Sequence, residues 1–272
     1  MIDLIDSHCH IQDIDLKKDA NLTAKIWDKA GVVDTQEVID SAKAAGVTRL
    51  IVVGCDYPDS VRAIELAKKQ PNLYASAGIH PHEAKSFVNS KELQAKFASL
   101  ANQDKVVAIG ECGLDYHYNH SSRDDQIKVF KFQLELAEKS NLPLIFHVRE
   151  AFDDFWPLFN QHKSLKGVLH SFTDNMANLE KALSCGLYIG VNGIATFSKD
   201  PDQLDVYKSI PTTNLLLETD SPYLTPVPYR GNINRPEMVE RVAQFLAEIK
   251  QEDLSQLAKT TTENSIKLFG IN

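Results

Sequence analysis

Short apolar runs alternate along the chain with longer stretches in which apolar residues recur every three or four positions. The runs at 4–10, 50–54, 73–78, 106–110, 144–146, 167–169, 187–191 and 215–217 predict eight strands. Between them the helical spacing is clearest at 123–140, where Ile127, Phe130, Leu134 and Ala137 form one stripe. Asp34-Thr35-Gln36-Glu37 reads as a capping box, with Asp34 as N-cap and Glu37 reaching back. It opens a helix that stops at Gly46, and Pro58 marks the start of another. Further helices are predicted through Leu93, Phe97 and Leu100, at 151–163, 175–185 and 201–209. One or two more follow, through Val239, Val242, Phe245 and Leu246 and then Leu254 and Leu257. Strands apolar along their whole length suit a parallel sheet buried on both faces. Eight of them, each followed by a helix, predict a single α/β domain over 1–272, a (β/α)8 TIM barrel, with an open doubly wound sheet as the alternative.

The long polar stretch at 12–33 interrupts this rhythm. Lys17, Lys18 and Lys25 are solvating there, whereas Leu22, Ile26 and Trp27 are able to pack. The spacing predicts a short helix ended by Gly31, lying over the barrel mouth and narrowing it so that a free strand end enters best.

Composition narrows the class. Hydrophobic content of 43% with 24% charged residues is that of a globular protein with a sizeable core. No apolar run approaches ~18 residues and no leader pattern is present, which predicts neither a membrane span nor a membrane partner. Four scattered cysteines (Cys9, Cys55, Cys112, Cys185) read as thiols of a cytoplasmic protein. A net charge of −8 argues against a broad basic surface for duplex DNA, though not against a nuclease that takes a strand end.

The chemistry concentrates where strands end. Successive strand side chains alternate faces, so His8 and His10 point the same way and Cys9 points opposite. Glu111, His147, His170 and Asp220 each follow an apolar run, and catalytic residues of a barrel come from the C-terminal ends of several strands. Each has a bland reading alone: a polar residue at a solvent boundary, an ion-pair partner, a turn former. Six such coincidences together point to metal. Four histidines and two carboxylates exceed one tetrahedral site. Two ions ~4 Å apart would use them all, with Glu111 bridging, His8, His10 and Asp220 on one side, and His147 and His170 on the other.

The segments Asp6-Ser7-His8-Cys9-His10, Gly78-Ile79-His80-Pro81-His82, Gly110-Glu111-Cys112-Gly113-Leu114-Asp115-Tyr116, Phe146-His147-Val148-Arg149-Glu150, Leu169-His170-Ser171-Phe172 and Glu218-Thr219-Asp220-Ser221-Pro222-Tyr223-Leu224 occur in order along the chain. Together they resemble the TatD family of metal-dependent hydrolases and deoxyribonucleases, within the amidohydrolase-like barrels. The resemblance implies metal ligation by His8, His10, Glu111, His147, His170 and Asp220. It also implies phosphodiesterase activity, in some members a 3′-to-5′ exonuclease on DNA. Two segments depart from the family pattern. Val148-Arg149-Glu150 replaces a usual Ser-Arg-Asp, and a basic Arg235 replaces the acid of the usual Asn-Glu-Pro.

The expected chemistry is hydrolysis by a water activated by two divalent ions (Zn²⁺, Mn²⁺ or Mg²⁺). Four imidazoles favour the first two over Mg²⁺. Asp220 is the candidate base, and His80 would steady the leaving oxygen. Arg149 and Arg230 are candidates to grip phosphate, and Tyr116 to stack on a terminal base. The expected substrate is DNA, single-stranded or at strand ends, acted on by a monomer. An ester hydrolase, such as one for D-aminoacyl-tRNA, would use the same centre. A non-catalytic metal-stabilised scaffold is the remaining alternative.

Overall fold

The computed structural model describes residues 2–17, 20–118, 120–162 and 164–272. Its strands are β1 (Leu4–Cys9), β2 (Val47–Val52), β3 (Leu73–Ala77), β4 (Val106–Asp115), β5 (Leu144–Arg149), β6 (Gly167–Leu169), β7 (Tyr188–Val191) and β8 (Leu215–Leu217). The helices are α1 (Leu22–Lys29), α2 (Thr35–Ala44), α3 (Tyr57–Lys69), α4 (Ala84–Phe87), α5 (Lys91–Leu100), α6 (Arg123–Ser140), α7 (Phe152–Phe159), α8 (Met176–Ser184), α9 (Pro201–Ser209), α10 (Val239–Lys250) and α11 (Leu254–Phe269). The strands make one eight-stranded sheet in the order β1 to β8, the expected (β/α)8 barrel. Among the described residues, no helix is long and apolar enough to cross a membrane.

The chain forms two compact units. The first comprises Met1–Val52, Ser171–Lys267 and Ile271–Asn272; the second comprises Val53–His170 and Leu268–Gly270. In the first, β1 pairs in parallel with β2, and β7 with β8. Every residue of β1 is buried, as a strand covered on both faces requires. The segment after β8 zips onto the end of β1. Asp220 N–H donates to His8 O at 2.8 Å, His10 N–H donates to Ser221 O at 2.8 Å, and Cys9 bridges Ser221.

The expected helix within 12–33 is α1. Asn21 caps it by accepting from Ala24 N–H, and Gly31 follows its last turn at φ +73°. Trp27 is fully buried and donates Nε1–H to His10 O at 3.0 Å, while Thr23 Oγ1 and Tyr223 OH are hydrogen-bonded at 2.9 Å. Leu22 does not pack: it is 67% exposed at the first turn, because Ala24 and Trp27 carry the buried face instead. Lys18 lies outside the described residues. At α2, Asp34 caps as expected. The Glu37 side chain does not reach back but takes a hydrogen bond from Arg235 at 3.1 Å.

The second unit holds β3 to β6 and is laid out around β4. This strand is ten residues long and fully buried, where the apolar run alone predicts only 106–110. The strand continues because β5 also extends, pairing Cys112 with Phe146, Gly113 with His147 and Asp115 with Arg149. Two glycines permit the close approach. A Cβ on Gly78 would lie 2.1 Å from the Gly110 carbonyl carbon, and one on Gly113 (φ +145°) would lie 2.0 Å from His147 O. Phe130, Phe146 and Phe155 fill the space between β5 and its covering helices α6 and α7.

Candidate metal centre

In the first unit the zip between β1 and the segment after β8 brings three predicted ligands together. His8 Nε2 and His10 Nε2 lie 3.1 Å apart, and Asp220 Oδ1 stands 3.7 Å and 3.4 Å from them. Cys9 points the other way, its thiol towards Ile51 O at 3.5 Å. Ligands ~2.0–2.1 Å from one tetrahedral Zn²⁺ are about 3.3 Å from one another, so this trio fits a single ion.

Asp6 holds the trio. It shares the strand face of His8 and His10, is fully buried, and accepts from Thr219 Oγ1 at 2.5 Å, Thr219 N–H at 2.9 Å and His8 N–H at 3.2 Å. Burial pushes its carboxyl up to about 8, against the pull of those hydrogen bonds. Asn234, also buried, donates to Thr219 O at 2.8 Å and Tyr223 O at 2.6 Å, which fixes the turn that carries Asp220 at φ +59°. Asp6, Thr219 and Asn234 were absent from the expected site. Period-two reading of β1 points to Asp6, whereas nothing in the sequence singles out Asn234.

In the second unit Glu111 is the hub. Its Oε1 lies 2.8 Å from His147 Nδ1, 3.6 Å from His80 Nε2 and 3.8 Å from His170 Nε2. The ligand atoms of His80, Glu111 and His147 all fall within 4.8 Å of one another, close enough to hold an ion. His80 therefore stands beside Glu111 and His147, within reach of whatever they hold. The His80 Nδ1 accepts from His82 N–H at 3.2 Å, so its proton sits on Nε2, facing Glu111. Burial, and then His147 nearby, hold its pKa well below the ordinary histidine value, so the ring is neutral.

His147 is the opposite case. Burial opposes its charge, but hydrogen bonds to Asp115 at 3.0 Å and Glu111 at 2.8 Å prevail and raise its pKa to about 9. Burial likewise opposes ionisation of Asp115, yet contacts with His147, His82 and the Tyr118 amide hold it far below the usual carboxylate range. Asp115 was not among the expected site residues. Ending the strand at Gly110 hid the period-two register that places Glu111, Gly113 and Asp115 on one face.

The three substrate-binding candidates have rim partners. Arg149 lies over the Tyr118 ring at 4.9 Å. Arg230 lies 4.0 Å over Phe197 and donates to Thr225 O at 3.1 Å. Tyr116 donates its hydroxyl to Asp154 at 2.5 Å, and Arg123 covers its ring at 5.1 Å.

A (β/α)8 barrel that carries clustered histidines and carboxylates at the C-terminal ends of its strands has the architecture of a metal-dependent hydrolase. The family model described as TatD related DNase matches residues 5–270, and the chain belongs to the TatD family. It is 39% identical over 255 residues to an uncharacterized metal-dependent hydrolase, YabD, of Bacillus subtilis, covering 93% of this chain and 98% of that protein. It is 34% identical over 260 residues to a protein of Escherichia fergusonii named 3′-5′ ssDNA/RNA exonuclease TatD, covering 93% of this chain and 97% of that one. The crystal structure of YJJV, a TatD homologue from Escherichia coli, superposes with a TM-score of 0.85 at 28% identity, over 99% of this chain and 98% of that one. This chain is therefore an enzyme, a metal-dependent hydrolase of the TatD family.

Proposed function

We propose that the enzyme removes nucleotides from the 3′ ends of single-stranded DNA, using one divalent ion in each of the two ligand clusters. The observation that carries this reading is the pair of clusters itself: His8, His10 and Asp220 within 3.7 Å, and Glu111 within 3.8 Å of three imidazoles. Relatives at 34% and 36% identity named 3′-5′ ssDNA/RNA exonuclease support the choice of substrate. Imidazole-rich donors favour Zn²⁺ or Mn²⁺ over Mg²⁺. Divalent ions bound there would offset phosphate charge and lower the pKa of the attacking water.

The chain's own groups do the rest. Asp220, 15% exposed at the edge of its trio, accepts the proton of the water. His80, neutral and protonated on Nε2, donates that hydrogen to the phosphate or to the departing oxygen. Trp27 and Thr23 anchor α1 to His10 and Tyr223, so α1 restricts access beside His10 and favours a free strand end. Scattered free thiols suit a reducing compartment such as the cytoplasm. The test is turnover of end-labelled single-stranded DNA by protein loaded with Zn²⁺, Mn²⁺ or Mg²⁺ in turn. Shortening from the 3′ end supports the reading, and an untouched substrate with every metal refutes it.

A further inference from the structure

Asp115 ends β4 four residues beyond Glu111, on the same strand face, and is 1% exposed. Its Oδ2 accepts from His147 Nε2 at 3.0 Å and from His82 Nε2 at 3.1 Å. Its Oδ1 accepts the backbone N–H groups of His117 and Tyr118, both at 3.0 Å. Gln126 clamps its main chain, accepting from Asp115 N–H at 2.8 Å and donating to Asp115 O at 2.9 Å. Both carboxylate oxygens and both backbone polar groups are thus engaged.

We propose that Asp115 is the positioning residue of the Glu111 cluster: by accepting Nε2–H it orients His147 so that Nδ1 is the atom that ligates the ion. The proposal rests on the metal reading above. A carboxylate has acceptors only, so the imidazole nitrogen that faces it must carry hydrogen. That commits His147 Nε2 and leaves Nδ1, 2.8 Å from Glu111 Oε1, to turn a lone pair towards an ion held with Glu111. An ion on the Asp115 side would have to displace two imidazole N–H groups from one oxygen. On the Glu111 side it replaces a single proton. Imidazoles that bind metal commonly donate their other N–H to a carboxylate, and loss of that partner costs about 10–100-fold in affinity.

Zinc calorimetry on the wild-type protein, Asp115→Asn, His147→Ala and the double variant tests this, together with ¹H–¹⁵N spectra of the histidines in the zinc-loaded protein. The expected result is an Asp115→Asn variant that loses about 10–100-fold in affinity for one ion and keeps the other. The double variant should bind no more weakly than His147→Ala, and wild-type His147 should show Nε2–H with a metal-shifted Nδ1. Ligation through Nε2, an unchanged affinity in Asp115→Asn, additive losses in the double variant, or equal loss of both ions would each overturn the assignment. A wild-type protein that leaves His147 unligated refutes the two-ion reading separately. ¹H–¹⁵N spectra of metal-free Asp115→Asn then decide the positioning role: a His147 proton that leaves Nε2 upholds it, and an unchanged Nε2–H overturns it.

Discussion

Asp220 and His147 carry the sharpest expectations at the residue scale. Asp220→Asn keeps the shape of the trio but removes the proton acceptor, so kcat should fall by at least ~10² with metal still bound. Near-normal turnover in a metal-replete variant would place the base elsewhere. His147 in the metal-free protein titrates at about 9, above the ordinary ~6.5 of a histidine. The folded chain then holds this proton more tightly than the unfolded one. The stabilisation is full below pH ~6.5 and is lost as pH rises through about 9. Metal must displace the same proton, so zinc affinity at this cluster should climb with pH up to about 9 and then level off. Calorimetry at several pH values reads this directly, and a flat profile would contradict it. The sequence exposed the candidate ligands, because histidines and acids after apolar runs are conspicuous. It concealed those that orient them. Asp115 sits inside a strand whose polar second half reads as loop, and Asn234 acts through backbone carbonyls that no side-chain pattern records.

Elements differ in how far local pattern determines them. α6 was legible to the residue at 123–140, because eighteen residues with one apolar stripe outweigh any neighbour. β4 and β5 were read short, since their ends carry Glu111, Asp115, His147 and Arg149 and are strand only through mutual pairing. That pairing gives Gly113 its meaning. A methyl group there would meet His147 O at 2.0 Å, so Gly113→Ala should destabilise the fold by about 1–3 kcal/mol and weaken metal binding at the Glu111 cluster. Thermal melting and zinc titration check both, and unaltered values would show that β5 shifts freely. α1 is the contrasting element: its existence was predicted, yet its packing face was misjudged at Leu22. Replacing 20–31 with a short linker should leave metal binding intact but relax the preference for linear over closed circular single-stranded DNA. A shortened enzyme with undiminished preference would remove α1 from that role.

At the scale of the molecule, the barrel was legible because eight apolar runs spaced by helices leave few other ways to bury both faces of a parallel sheet. Substrate was less legible, because metal-activated water attacks phosphorus and carbonyl carbon alike, and rim contacts such as Arg230 over Phe197 depend on loops with no periodic signature. The most direct test of the account follows a 5′-labelled single-stranded oligonucleotide and its closed circular form, incubated with metal-loaded enzyme. The account predicts a ladder that shortens from the 3′ end, an intact circle, and loss of both cleavage and ladder in Asp220→Asn or after chelation. A linear substrate left whole by the metal-loaded enzyme, or cut as fast when circular, would contradict it.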